Sequence, residues 1–140
     1  MDLKYFYKIT TSAVILNDTK DKVLLGLRSK NEDTNQGLWS IPGGKLDSQE
    51  HTIDAFEENI IKEVKEEMGI TIAPLDYLDS HIYAEDPDNK KLTVVFTAKI
   101  LHGTPTPLED TDEVRWFTKE EVTKINLPPN VFRVIEKVLK

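Results

Sequence analysis

The chain has 140 residues, of which 39% are hydrophobic and 31% charged, and it contains no cysteine. This length suits one globular domain with a single core, so we expect one domain over residues 1–140. The lack of cysteine excludes disulfides and thiolate metal sites, and the net charge of −7 argues against binding of nucleic acid polymers, which requires a basic surface.

The N-terminal region has no apolar run that would act as a signal peptide, and no later run approaches the roughly 18 residues that span a bilayer. We therefore expect a cytoplasmic protein without membrane contact. Residues 10–16 and 23–27 predict two strands joined by a polar turn. A polar loop over residues 29–37 leads into a short apolar run, residues 38–44, which ends in a turn at Gly43 and Gly44.

Residues 55–68 predict the central helix of the protein. Apolar residues recur on one side of it at helical spacing, namely Phe56, Ile60, Ile61, Val64 and Met68. Asp54 is the expected N-cap, with Glu57 three residues later, and Gly69 suits the C-terminal end.

The rest of the chain alternates between short strands and helices. Strands are predicted at residues 70–72, 77–83, 92–101 and 114–117, with a hairpin loop at 85–89. Helices are predicted at residues 119–124 and 131–139, separated by a turn at 127–130. Strands on both sides of one long helix indicate an α/β or α+β protein with a mixed sheet.

The central helix carries an acidic face. Between Asp47 and Glu67 the chain has eight acidic residues against two lysines. Glu63, Glu66 and Glu67 stand at i, i+3 and i+4, so at about 100° per residue they share one side of the helix. This side borders the apolar stripe, where partly buried like charges are unfavourable unless a cation joins them. On the helix alone, a solvated face with Glu–Lys pairs is the favoured explanation, and the residues around the helix change this preference.

The residues around this helix resemble the Nudix box. Gly43-Gly44-Lys45-Leu46 is followed by Lys62-Glu63-Val64-Lys65-Glu66-Glu67-Met68-Gly69-Ile70, which is similar to the box except that Lys62 stands where the family has arginine. Residues 38–44 and 115–117 also look like family features, and the similarity extends over residues 10–139. The resemblance implies a Nudix-type α/β/α sandwich with a central mixed sheet.

The spacing before the helix departs from the family pattern. If Glu50 is the spaced glutamate of the box, eleven residues separate it from Lys62 where the family has seven. If Asp54 takes that place, the spacing is right and the extra residues fall in the preceding loop. We favour Asp54, because a loop insertion leaves the register of the helix intact.

The resemblance implies an enzyme that cleaves a diphosphate linkage in a nucleotide-like substrate with the help of Mg²⁺ or Mn²⁺. It implies that the carboxylates of Glu63, Glu66 and Glu67 and the carbonyl of Gly44 hold the metal. In the family, the arginine replaced here by Lys62 helps to orient the first of these glutamates.

The residue that activates water is left open, since family members use either a helix glutamate or an acid from a late loop. The loop candidates are Glu109, Asp110, Asp112 and Glu113, of which we favour Glu113 because it directly precedes a predicted strand. Candidate substrate-binding residues are Gly43, Gly44, Lys45, Arg28, Tyr83 and Asn130. Trp39 and Phe96 are alternative aromatic platforms, and Asn130 is equally a candidate helix N-cap.

Several functions remain compatible with the sequence. We favour hydrolysis of a (d)NTP, because the chain is compact and because some family members place a purine-binding asparagine in a turn similar to residues 127–130. ADP-ribose or a nucleotide sugar is the alternative substrate, and a nucleotide sensor without catalysis is a further possibility. The sequence leaves open whether the protein is a monomer or a homodimer.

Overall fold

The structure is a computed structural model, which describes residues 2–30 and 37–140. A 3₁₀ turn at Leu3–Tyr5 precedes the first strand. The strands are β1 (Lys8–Leu16), β2 (Lys22–Arg28), β3 (Trp39–Ser40), β4 (Gly43–Lys45), β5 (Thr71–Ile72), β6 (Asp76–Asp86), β7 (Asn89–Ala98), β8 (Ile100–His102) and β9 (Thr111–Thr118). The helices are α1 (Ala55–Met68), α2 (Lys119–Val122) and α3 (Pro129–Glu136).

A seven-stranded mixed sheet forms the centre of the molecule, and β1 lies in its middle. One side of β1 pairs in parallel with β7, which pairs in turn with the outer strand β6. Its other side is divided, because residues near its C-terminal end pair with β2 whereas Thr10, Thr11 and Ser12 pair with β4. Beyond β2 lies β9, and β5 and β8 form a separate two-stranded sheet.

Side chains alternate along β1 between two apolar cores, one on each face of the sheet. Ala13 and Ile15 face α1 and pack with Ile60 and Val64, whereas residues on the opposite face pack against α2 and α3. We call the face of the sheet that α1 covers the α1 face, and the opposite face, which α2 and α3 cover, the α3 face. Helices on both faces of a mixed sheet confirm the predicted α/β/α architecture.

Helix α1 begins and ends where the sequence predicts, at residues 55 and 68. Gly69 ends it in a left-handed conformation, and its N–H donates to the carbonyl of Lys65 at 2.9 Å. The predicted capping role of Asp54 is wrong. Asp54 occupies the N-cap position, but with φ 56° its side chain makes no capping hydrogen bond, and only its carbonyl accepts from Glu58.

Two further predictions need correction. Asn130 is not the N-cap of the last helix, because Pro128 holds that position and Asn130 lies inside the first turn of α3. Asp112 and Glu113 do not lie in a loop before a strand, since β9 begins at Thr111. The predicted loop at residues 29–37 falls mostly outside the described residues.

Within residues 2–30 and 37–140, no helix is long and apolar enough to cross a membrane.

Candidate active site

Strand β4 and the C-terminal half of α1 meet at the carboxylates of two predicted site residues, Glu63 and Glu67. The N–H of Gly43 donates to Oε2 of Glu67 at 3.0 Å. A Cβ atom on Gly44 would lie 2.5 Å from the carboxylate of Glu63, so the lack of a side chain at Gly44 leaves room for this carboxylate beside the backbone. The structure therefore brings together Gly43, Gly44, Glu63 and Glu67, as the sequence predicts.

A buried asparagine, which the sequence analysis missed, supports this contact. The Nδ2 group of Asn59 donates to Oγ1 of Thr11 at 2.8 Å and to the Gly44 carbonyl at 3.3 Å. Asn59 is only 6% exposed and ties α1 to both β1 and β4. A polar residue next to Ile60, inside the apolar stripe of the helix, was the sequence signal for it.

The two glutamates occupy an environment that disfavours their charged forms. Burial, opposed by the hydrogen bond from Gly43, raises the pKa of Glu67 to about 8. Burial and the negative charge of Glu66 raise the pKa of Glu63. Repulsion between Glu63 and Glu67 also contributes to the higher pKa of Glu67, so both carboxylates would be stabilised by an added positive charge.

The residues present fit a divalent metal ion. The carboxylates of Glu63 and Glu67 and the carbonyl of Gly44 all offer oxygen, the ligand atom that Mg²⁺ prefers. Mg²⁺ commonly uses few carboxylates together with water and phosphate oxygens. Within the described ranges no three acidic or histidine side chains converge closely enough to enclose a metal by themselves. Glu66 is exposed on the same side of the helix.

The loop that precedes β9 places another acid beside this pair. The N–H groups of Thr106 and Leu108 donate to the carbonyls of Met68 and Glu67, at 2.9 and 3.0 Å, which fastens the loop to the end of α1. Glu109 follows with φ 49°, and its charge raises the pKa of both Glu63 and Glu67. Glu109, one of the predicted loop candidates, is therefore a loop acid whose charge acts on both glutamates, and Asp110 lines the cavity beside Glu67.

Glu113, the favoured catalytic acid, lies elsewhere. It pairs with Leu27 across β9 and β2 and shares the α3 face of the sheet with Phe117, whereas α1 covers the other face. Its carboxylate accepts a hydrogen bond from Arg115 at 2.5 Å. The structure does not bring Glu113 to Glu63 and Glu67.

A cavity of about 70 Å³ opens beside Glu67 where β1 and β2 diverge. Its lining residues are Gly26, Arg28, Ser40, Ile41, Pro42, Gly43, Glu67, Met68, Asp110 and Thr111. Arg28 lines this cavity as a candidate phosphate ligand, and its positive charge lowers the pKa of Glu67.

The other predicted site residues lie around the cavity or away from it. Nζ of Lys62 is 3.9 Å from Oε1 of Glu63, so Lys62 provides a positive charge beside this carboxylate. Lys45 and Tyr83 are exposed on the α3 face of the sheet, and Asn130 is exposed in α3. None of these three lines the cavity.

Comparison with known proteins agrees with this geometry. Residues 7–138 match the family model described as NUDIX domain. The chain is 28% identical over 123 residues to the m7GpppN-mRNA hydrolase of Saccharomyces cerevisiae, with 85% of this chain and 12% of that protein covered. It is 27% identical over 128 residues to the NAD-capped RNA hydrolase NudC of Pseudomonas aeruginosa, with 91% and 41% covered.

The chain therefore spans less than half the length of these two curated relatives. Among solved structures, the MutT protein from Methanosarcina mazei Go1 superimposes with a TM-score of 0.76 and 31% identity, and 97% of this chain and 95% of that chain are covered.

Proposed function

The chain belongs to the NUDIX domain family, whose members are hydrolases of phosphoric anhydride bonds. On this premise we propose that it cleaves the diphosphate linkage of a nucleotide derivative with a divalent cation, Mg²⁺ or Mn²⁺. The observation that supports the proposal most strongly is the contact of Gly43 and Gly44 with the carboxylates of Glu67 and Glu63.

In this proposal the metal is held by Glu63, Glu67 and the Gly44 carbonyl. The exposed Glu66 adds a further carboxylate at the edge of the metal site. The bound ion supplies positive charge to the diphosphate and lowers the pKa of a water molecule. Arg28 binds a phosphate oxygen from the cavity wall, and Lys62 holds Glu63 in place. Asn59 keeps the Gly44 carbonyl turned toward the helix.

We assign the role of general base to Glu109. Its loop is fastened to the end of α1 by two backbone hydrogen bonds, and its charge acts on both Glu63 and Glu67. In this role its carboxylate accepts the proton of the attacking water as the water attacks phosphorus.

The substrate we propose is a nucleoside diphosphate joined to a second group. The relatives from S. cerevisiae and P. aeruginosa are named for hydrolysis of m7GpppN-mRNA and NAD-capped RNA, in which phosphoric anhydrides link two nucleosides. The cavity of about 70 Å³ beside Glu67 would hold the phosphate groups of such a substrate. The (d)NTP hypothesis depended in part on Asn130, which does not line this cavity.

A substrate panel with Mg²⁺ tests this proposal. We expect turnover of dinucleoside diphosphates, NAD or ADP-ribose, with nucleoside monophosphates among the products, and slower turnover of the (d)NTPs. Preferential release of diphosphate from a (d)NTP would instead support the MutT-like hypothesis. Binding of all these nucleotides without turnover would indicate a sensor.

We further propose that residues 1–140 act as one catalytic domain in the cytoplasm, as a monomer or a homodimer. The family match over residues 7–138 supports the single domain.

A further inference from the structure

Three polar side chains of α1 face strand β4 in consecutive turns of the helix. Asn59, Glu63 and Glu67 follow one another at intervals of four residues, so they lie on one side of α1. Asn59 and Glu63 lie against Gly44, and Glu67 accepts from the Gly43 N–H. At about 1.5 Å per residue, Asn59 is about 12 Å from Glu67 along the helix. The cavity beside Glu67 therefore lies at one end of this series and Asn59 at the other.

A groove of about 350 Å³ opens at the Asn59 end of the series. The residues of its wall that matter here are Leu46, Asp47, Ser48, Thr52, Asn59 and Lys62. Small-molecule sites commonly have volumes of about 300–1,000 Å³, so the groove has room for a substituent of the substrate. Its outer side is the loop before α1, which is where the sequence is longer than the Nudix box. The extra residues thus help to form a groove next to Gly44.

Asn59 presents an unused hydrogen-bond acceptor to this groove. Its Nδ2 group donates to Thr11 and to the Gly44 carbonyl, and because a carbonyl can only accept, the orientation of the amide is fixed. No group in residues 2–30 and 37–140 donates to its Oδ1 atom. In that part of the chain no buried side-chain oxygen lacks a partner, so Oδ1 reaches the surface, and Asn59 lines this groove. A side chain only 6% exposed therefore keeps one atom free for a ligand.

The other polar groups of the wall add negative charge and few free donors. The hydroxyls of Ser48 and Thr52 contact each other at 2.7 Å and the Glu50 carbonyl at 3.2 and 3.0 Å, so their hydrogens are used within the loop. The ammonium group of Lys62 lies beside Glu63. Among the described residues, no cationic group lies within 4.0 Å of the carboxylate of Asp47. The free groups are thus acceptors, and one of them is charged.

This wall suits a positively charged group that donates hydrogen bonds. An ammonium group can donate to Oδ1 of Asn59 and to the carboxylate of Asp47, and a hydrogen bond between two charged groups is stronger than one between neutral groups. The surroundings favour the same charge, since eight acidic residues stand against two lysines between Asp47 and Glu67. A further phosphate would be repelled here.

We propose that the groove binds an ammonium group in the part of the substrate that lies beyond the scissile diphosphate. The second group joined to the nucleoside diphosphate is then an amine. This inference rests on the proposed function and adds the chemical class of that second group. The diphosphate lies at Glu63 and Glu67, between the cavity and the groove, so a substituent on its terminal phosphate can reach Asn59.

The test compares substrates that differ only in the group expected in the groove. One is ADP esterified on its terminal phosphate with 2-aminoethanol, and the other is the propyl ester, in which a methyl group replaces the ammonium. We expect kcat/KM with Mg²⁺ to be at least about tenfold higher for the aminoethyl ester at low salt. This preference should shrink at high salt, because salt screens the charges. Equal kcat/KM values for the two esters would overturn the proposal.

The choline ester of ADP tests the free acceptor separately. It keeps the positive charge but has no N–H group, so Oδ1 of Asn59 would face it without a hydrogen bond. We expect its kcat/KM to lie at least about threefold below that of the aminoethyl ester. Equal values for these two esters would contradict the role of Asn59 in the groove.

Asp47→Asn tests the charge of the wall. The substitution keeps the shape of an exposed side chain and removes its charge, so the preference for the aminoethyl over the propyl ester should fall at least about threefold. The matched control is Asp88→Asn, which removes an exposed carboxylate from the turn between β6 and β7 and should keep the wild-type preference. The same preference in Asp47→Asn and in the wild type would overturn the proposal.

Failure of catalysis and failure of the groove are distinguishable. If none of the esters is hydrolysed, the proposed function fails, and calorimetric titration of the aminoethyl and propyl esters with Mg²⁺ present still tests the groove through their affinities. If both esters are hydrolysed equally well in a metal-dependent reaction, the groove assignment is wrong and the proposed function stands.

Discussion

The substitution Glu67→Gln is expected to lower kcat by about 10²–10³, the scale of loss when one electrostatic group of an active site is removed. Glutamine keeps the shape of the side chain and an oxygen that accepts the hydrogen bond from the Gly43 N–H. It cannot carry the negative charge that a metal ligand needs. Steady-state kinetics at saturating Mg²⁺ measure the loss.

The same substitution is expected to leave the metal-free fold intact. With a pKa of about 8, Glu67 is mostly protonated at neutral pH without metal, so glutamine replaces a neutral group. Because the folded protein holds this proton more tightly than the unfolded chain, the free energy of unfolding in chelator should fall as pH rises from about 5 to 8, by about 1 kcal/mol or more. Glu67→Gln should weaken this pH dependence.

The control for Glu67→Gln is Glu58→Gln, which removes an exposed carboxylate from the same helix and should leave kcat unchanged. Thermal melts of both variants in chelator, at pH 5.5 and pH 8, complete the comparison. If Glu67→Gln kept the wild-type kcat, the acidic face of α1 would be structural and the site would have to be sought elsewhere.

Glu109→Gln is expected to lower kcat by about 10², within the range that general bases contribute. Glu113→Gln is the matched control on the other face of the sheet, where its pair with Arg115 is half exposed. Exposed pairs contribute about 0–1 kcal/mol to stability, so we expect little change in folding and none in rate. The reverse result, with Glu113 essential, would contradict the assignment.

The acidic helix and its partners could be predicted from the sequence, since they depend on local signals. The apolar period and Gly69 define both ends of α1, and the spacing of Glu63 and Glu67 puts them on the side that meets β4. The family pattern adds Gly43 and Gly44.

The choice of loop acid could not be predicted in the same way. Glu109 is placed by backbone hydrogen bonds from Thr106 and Leu108 to the end of α1, which are contacts between segments distant in the chain. Side chains alternate along β9 between the two faces of the sheet, which puts Glu113 on the α3 face. The sequence does not predict this, because the predicted strand starts after Glu113 whereas β9 starts at Thr111.

Two capping assignments failed for a related reason. Asp54 and Asn130 are residue types that favour N-caps, but the backbone decides whether the side chain is used. Asp54 adopts a left-handed conformation, and its side chain makes no capping hydrogen bond. Pro128 is the N-cap of α3, so the helix starts two residues earlier than it would with Asn130 as the cap.

Metal dependence tests the central claim most directly. The measurement is the rate of hydrolysis of the best dinucleoside diphosphate substrate in excess chelator, followed by titration with Mg²⁺ or Mn²⁺. We predict no turnover in chelator and full recovery on addition of the metal, because the partly buried Glu63 and Glu67 need a cation to act together on an anionic substrate. Undiminished hydrolysis in excess chelator would contradict the account.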